Sequence, residues 1–332
     1  MGYISNDLET AMRETLNDDG QVMLFINRRG HSSIVQCKSC GHVMMCHDCS
    51  SGLVLHKRSG VLLCHVCGGR HDVPTNCPEC KKELSFLGVG VEKIEEEVRE
   101  KFINARTALV SSDTMTSNKA MEKLIRQIES GEVNIIIGTQ ILAKGHHFPN
   151  LTLVGVIDAD SLLFGSDFRA SEKTFQQLFQ VAGRAGRGDK PGRVLIQTLM
   201  PEHPAIKALA ESNRDDFIKW DMENRRKASM PPFGQLIAII IEGTRETELH
   251  DFCRALANAA PKINGGPSVG CGRILGPIPA EIYQIRQWYR MRFLVSGGVN
   301  AALQGVVSAW LSKVAVPRSV RLKADVNPQS FM

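Results

Sequence analysis

Asn134-Ile-Ile-Ile-Gly-Thr-Gln-Ile-Leu-Ala-Lys-Gly145 joins an unbroken apolar run to a loop of glycines and hydrogen-bonding side chains. Three consecutive isoleucines show no polar alternation, so the run suits a strand buried on both faces, as in parallel sheets covered by helices. Similar runs recur at Val22-Met-Leu-Phe-Ile26, Arg106-Thr-Ala-Leu-Val110, residues 152–157 and Arg193-Val-Leu-Ile-Gln197. Between them, helical patterns cover residues 92–102, 119–129 (stopped by Gly131) and 171–182. A first helix is expected over residues 6–16, with Asn6 as N-cap and Glu9 three residues on. Strand alternating with helix predicts a largely parallel, doubly wound α/β lobe built from residues 1–29 and 85–203. Such sheets present ligands in loops beyond the carboxyl ends of their strands. Gly138 to Gly145 and Asp158-Ala-Asp160 both fall there.

The interruption, residues 30–84, is of another kind. Cys37/Cys40, Cys46/Cys49, Cys64/Cys67 and Cys77/Cys80 form four Cys-x-x-Cys pairs. Each pair lets two thiolates reach one ion, and two pairs close a tetrahedral all-sulfur site, so two structural zinc ions are expected. A disulfide framework would need an oxidising compartment. The first sixteen residues carry Asp7, Glu9, Arg13 and Glu14 where a signal peptide would be apolar, which places the protein in the cytoplasm. Cys253 and Cys271 lie far off and read as ordinary buried thiols. Pairing is expected to be nested, Cys46/Cys49 with Cys64/Cys67 inside and Cys37/Cys40 with Cys77/Cys80 outside, because the inner spacing is compact. A cross-braced scheme, first pair with third and second with fourth, is the alternative. His42, His47, His65 and His71 read as surface residues or neighbours of the ligands, since eight sulfurs already fill two sites.

From Pro204 the pattern changes, and residues 204–332 read as a separate domain. Helical residues run to about Lys227 and stop at Met230-Pro-Pro-Phe233. Strand patterns then cover 235–242, 272–276, 290–296 and 319–326, with helical ones at 246–259 and 301–314. That βαββαβ order predicts a small α+β domain of ferredoxin-like type. Between Arg286 and Asp325 there are seven basic residues and one acidic one. Trp288, Arg290 and Arg292 share one face of a strand with Arg286 in this reading. Stacking combined with phosphate neutralisation is how sequence-indifferent binders hold single strands.

The 332 residues are 43% hydrophobic and 23% charged, a globular composition, and the formal net charge of +5 is too small to choose a partner. No apolar run approaches the roughly 18 residues of a membrane span.

The sharpest candidate for chemistry is Gln180-Val-Ala-Gly-Arg-Ala-Gly-Arg187. Gly183 and Gly186 remove bulk around Arg184 and Arg187, and paired guanidinium groups suit a transferring phosphoryl group. Gln180-x-x-Gly183-Arg184-x-Gly186-Arg187 resembles motif VI of superfamily 2 helicases, and Gly138-Thr-Gln…Ala143-Lys-Gly145 resembles their motif V. Asn27-Arg-Arg-Gly30, the eight cysteines, Ala143-Lys-Gly-His-His-Phe-Pro149 and Asp167-Phe-Arg-Ala-Ser-Glu172 narrow the resemblance to bacterial replication-restart helicases.

The resemblance implies a RecA-like second motor lobe with a zinc insertion and a C-terminal DNA- and partner-binding domain. Arg184 and Arg187 would contact the γ-phosphate of ATP, and Gln180 would couple nucleotide state to lobe closure. Gly183, Gly186 and Asp160 would lie at the nucleotide. Asp158 and Asp160 would orient the arginines or belong to the coupling network, and a capped loop with solvated carboxylates suits them equally. Thr139, Lys144 and Gly145 would hold DNA phosphates, and His146 and His147 would lie nearby. Implied partners are forked and single-stranded DNA, the single-strand DNA-binding protein and other primosome proteins. ATP and magnesium would be held through a first lobe.

Neither Gly-x-x-x-x-Gly-Lys-Ser/Thr nor Asp-Glu-x-His occurs in these residues, so the chain is expected to be inactive by itself, as a fragment or shortened homologue. The competing reading is a non-enzymatic zinc-containing nucleic-acid adaptor. A thiol oxidoreductase is a third, which tightly held zinc would exclude.

Overall fold

The computed structural model describes residues 2–26, 33–37, 39–47, 52–56, 60–64, 68–82, 84–86, 91–110, 118–138, 148–163, 169–186, 190–261 and 272–329. Helix α1 (Asn6–Asn17) and strand β1 (Gln21–Ile26) come first. Five short strands follow, β2 (Ser33–Gln36), β3 (Val54–His56), β4 (Val61–Leu63), β5 (Arg70–Asp72) and β6 (Ser85–Phe86). The chain continues as α2 (Val91–Lys101), β7 (Thr107–Val110), α3 (Asn118–Glu129), β8 (Ile135–Gly138) and β9 (Leu151–Ile157). Next come α4 (Asp160–Leu163), α5 (Ala170–Ala182), β10 (Arg193–Ile196), α6 (Pro204–Ala210) and α7 (Arg214–Lys227). The last elements are β11 (Gly234–Gly243), α8 (Glu246–Asn258), β12 (Ile274–Ile285), β13 (Trp288–Gly298), α9 (Leu303–Leu311) and β14 (Val320–Val326). Among the described residues, those of 2–42, 85–163 and 170–213 pack as one compact unit and those of 43–84, Arg169 and 214–329 as another.

In the first unit a parallel sheet runs in the order β10-β9-β1-β8-β7. Every residue of central β1 is buried, as its unbroken apolar sequence requires. Leu8 and Met12 of α1 and Ile94 and Val98 of α2 pack with Leu24, Ile26, Ile135 and Ile137. Burying each such side chain contributes about 1.5–3 kcal/mol. Gly155 leaves room for α1, since a Cβ there would lie 2.8 Å from Leu8 Cδ1. The N-cap of α1 is Ser5, not Asn6. Ser5 is still extended, and its Oγ accepts the Leu8 N–H at 3.3 Å, whereas Asn6 is already helical.

In the second unit an antiparallel sheet runs β12-β13-β11-β14, the sheet order of a split βαβ fold. Ile237, Ile239 and Ile241 of β11 pack with Phe293, with Leu249 and Leu256 of α8, and with Val307 and Trp310 of α9. Trp310 Nε1 donates to Leu256 O at 2.9 Å, so its polar atom is satisfied inside the core. Strand β12 extends well past the expected stop at Gly276. Pro277 and Pro279 argue against a central strand, but β12 lies at a sheet edge and its register shifts between Leu275 and Ile278, where a missing N–H is tolerated.

In the cysteine-rich stretch, β3, β4 and β5 form an antiparallel meander, and β2 pairs with β6.

Candidate functional site

The sulfurs of Cys37, Cys40, Cys77 and Cys80 all lie within 4.8 Å of one another. A tetrahedral ion with Zn–S near 2.3 Å would hold its sulfurs about 3.8 Å apart, inside that limit, so the donor set fits a metal ion. The local backbone explains the approach. Cys37 accepts from the Gly41 N–H at 2.8 Å and donates to His42 O at 2.8 Å. Cys77 repeats the turn with Lys81 (3.0 Å) and Lys82 (2.7 Å), and Cys64 repeats it with Gly68 (2.9 Å) and Gly69 (2.8 Å). The residue four past each cysteine has positive φ: Gly41 at 76°, Gly68 at 82° and Lys81 at 61°. Three of the four pairs therefore begin with one and the same knuckle turn. The clustered sulfurs are the outer foursome of the nested scheme. Of the inner four, Cys46 and Cys64 are buried, while Cys49 and Cys67 lie outside the described residues. Cys46 Sγ lies 3.5 Å from His71 Nε2, which puts one histidine beside a candidate ligand.

Helix α5 buries Thr174, Phe175, Leu178 and Val181 and leaves Gln180 exposed. Its last turn tightens, as Arg184 N donates to Val181 O (3.0 Å) and Ala185 N to Ala182 O (3.2 Å). Gly186 then takes φ 70°, and its N–H reaches Leu151 O at 3.0 Å. This winding turns Arg184 inward, where it is only 9% exposed. Gly183 is exposed and nothing crowds it closely, whereas a Cβ on Gly186 would lie 2.3 Å from Gly192 N. Arg187, Thr139, Lys144, Gly145, His146 and His147 lie outside the described residues.

Asp160 is 4% exposed, and both its carboxylate oxygens are engaged. Thr198 Oγ1 donates to Oδ1, and Leu199 N donates to Oδ2 at 2.7 Å. Asp160 thus ties the end of β9 to the segment after β10, a capped loop whose carboxylate is buried and not solvated. Leu199 O in turn meets the outer knuckle, 2.9 Å from where a Cβ on Gly41 would be. Beside it Asp158 sits at φ 56°, and its Oδ1 accepts the Ser161 N–H at 3.4 Å. Burial, then the Asp160 charge, pushes the Asp158 carboxyl up. Burial pulls the His203 imidazole down against the opposing pull of Asp160, and its Nδ1 accepts the Ala205 N–H at 3.2 Å. Sequence reasoning missed Thr198 and Leu199, although they follow a strand's carboxyl end, where the rule for such sheets would have looked.

On the C-terminal sheet, Trp288, Arg290 and Arg292 do share a face, but Arg286 is in the turn before β13 with φ 56°. Arg290 and Arg292 are 8% and 2% exposed, and Arg290 Nε donates to Glu242 Oε1 at 2.9 Å. An exposed arginine row on β13 therefore needs correction. The exposed cations come from β14, where Arg321 stands opposite Glu242 and Lys323 opposite Ile240. Arg321 Cζ lies 4.1 Å over the Trp288 ring, a cation–π contact. An open cavity of about 370 Å³ is lined by Ile240, Glu242, Arg290, Arg321, Leu322 and Lys323.

Residues 86–189 match the family described as Helicase conserved C-terminal domain, and residues 226–329 match Primosomal protein N C-terminal domain. The class is therefore a helicase C-terminal lobe joined to a primosomal C-terminal domain. The chain is 40% identical over 331 residues to Replication restart protein PriA of Rickettsia felis, 39% over 332 to that of Synechocystis and 36% over 336 to that of Bacillus subtilis. These matches take in 98–99% of this chain and 50%, 39% and 41% of those proteins, so the chain spans half or less of their length. Over nearly its whole length it is similar to the part of PriA proteins that carries these two C-terminal domains. Among the described residues no helix is long and apolar enough to cross a membrane.

Proposed function

We propose that this chain is the second motor lobe and the DNA- and partner-binding part of an ATP-dependent 3′-to-5′ DNA helicase that acts in replication restart. The observation that carries the reading is the glycine-bounded turn after α5, which holds buried Arg184 in a lobe of helicase type. Arg184 and Arg187 stabilise charge on the transferring γ-phosphate, and exposed Gln180 senses the nucleotide. ATP and magnesium are held mainly by a first lobe that carries the phosphate loop. Asp160 acts at one remove, bracing the loop beyond β9. Thr139, Lys144 and Gly145 grip phosphates of the tracked strand. Trp288, with Arg321 and Lys323, offers a single strand stacking and phosphate contacts. Forked DNA, the single-strand DNA-binding protein and other primosome proteins are the partners, in the cytoplasm.

Cys37, Cys40, Cys77 and Cys80 hold one zinc ion, and Cys46, Cys49, Cys64 and Cys67 a second. All-sulfur coordination leaves no open position, so zinc supplies rigidity and not a reactive site.

The test is Arg187→Ala in the polypeptide that carries both motor lobes. DNA-stimulated ATP turnover should fall by about 10³-fold or more with DNA affinity little changed. Unchanged turnover would sink the motor reading and leave a zinc-containing DNA-binding adaptor.

A further inference from the structure

The turn that presents Arg184 is seated in a notch whose far wall lies outside the motif. On one side the Gly186 N–H is bonded to Leu151 O, at the start of β9. On the other is Gly192, the residue before β10, and β9 and β10 are paired neighbours. A Cβ on Gly192 would lie 2.4 Å from Ala185 C, 2.4 Å from Gly186 N and 2.6 Å from Ala185 Cβ. Two of those atoms are backbone, so no side-chain rotation relieves the clash. The φ of Gly192 lies outside the left-handed region, unlike that of Gly186. Glycine is therefore required at 192 for space alone, and alanine there would adopt the backbone without strain and push the turn instead.

We propose that Gly192 is a positioning residue for the arginine turn. It sets how deeply the Ala185–Gly186 peptide seats against Leu151, and with it the reach of Arg184. This rests on the reading of Arg184 and Arg187 as the groups that meet the transferring phosphoryl. An added methyl displaces the turn by a distance on the order of 1 Å, and such a displacement costs about 10²-fold in rate where orientation limits the chemistry. Nucleotide affinity stays, because most of the nucleotide is held by the other lobe.

The experiment measures DNA-stimulated ATP turnover in the two-lobed polypeptide for wild type, Gly192→Ala, Gly155→Ala and Arg187→Ala. Gly155→Ala is the control for general destabilisation, since its methyl would crowd Leu8 and Leu24 in the core and not the turn. For Gly192→Ala, kcat should fall about 10²-fold with KM for ATP and DNA affinity within about twofold. Gly155→Ala should keep its kcat. A Gly192→Ala kcat within about twofold of wild type overturns the proposal, as does an equal loss in Gly155→Ala. Full turnover in Arg187→Ala would remove the arginine reading itself and the proposal with it. A second readout needs no turnover. In the 332-residue chain, amide exchange at Gly186 should quicken about tenfold in Gly192→Ala while β1 amides hold, and unchanged exchange would overturn the assignment.

Discussion

The two sheets present polar chemistry in opposite ways. In the parallel sheet β1 is buried at every residue, so its body carries only packing and one internal amide, Gln21. Asp158, Asp160 and Arg184 all stand beyond the end of a strand or helix. In the antiparallel sheet, alternate residues of β11 go to different faces. Ile237, Ile239 and Ile241 enter the helix-covered core, while Glu242 meets Arg290 on one side and Arg321 on the other. The first sheet, buried throughout its central strand, must place function at its ends, whereas the second carries charged pairs along β11, β13 and β14 even though Leu236, Ala238 and Leu294 are buried on the face away from the helices.

The cysteine knuckles extend the comparison and give the largest expected effect. Gly41 of the first knuckle rests on Leu199 of the lobe, and a Cβ on Gly68 of the third would lie 2.2 Å from Ile278 Cγ2 on β12. With two zinc ions bound as proposed, Cys77→Ser should release one of them by metal analysis, since structural zinc contributes about 10–16 kcal/mol of binding free energy. Hydrogen exchange should then quicken at Leu199 and leave β11 and β13 protected. Cys64→Ser should release the other ion and loosen β12 instead. Loosening of the same amides by both variants would break the comparison.

Next in size is Trp288→Ala. Loss of one stacking platform should weaken single-strand DNA binding by about 1–3 kcal/mol, roughly 5- to 150-fold, read by fluorescence anisotropy. ATP turnover at saturating DNA should hold. Unaltered affinity would move DNA recognition off this face.

The smallest effect sharpens the end-of-strand side. Asp158 is pushed up by burial and by Asp160, so its folded pKa exceeds its unfolded one and its charge opposes folding at neutral pH. Asp158→Asn, which also suits a positive φ, should stabilise the chain at pH 7. The gain should shrink as pH falls through the raised Asp158 pKa, where the native carboxyl takes up its proton. Thermal midpoints of both proteins from pH 7 to pH 4 check this, and a gain that grows on acidification would contradict it.

Legibility followed the range of the forces involved. Central strands were plain because an unbroken apolar run such as Val22-Met-Leu-Phe-Ile26 is too short for a helix and follows Gly20, which leaves a buried strand. The N-cap of α1 slipped by one residue because serine and asparagine both suit that place and only the extended backbone of Ser5 chooses between them. The shared face of Trp288, Arg290 and Arg292 was legible from period-two alternation. The burial of Arg290 was not, because its partner Glu242 comes from a strand 48 residues away.

By itself, then, the sequence determined the strand and helix order of both sheets, the likeness to PriA proteins, and the Cys-x-x-Cys spacing that lets Cys37, Cys40, Cys77 and Cys80 hold a metal ion, since all rest on local pattern and spacing. Only the tertiary structure decided which pairs close on one another, that Asp160 is consumed by Thr198 and Leu199, and that Gly192 walls the arginine turn. Each of those depends on atoms far apart in the chain being held within a few ångströms, a condition that packing sets and local pattern cannot express.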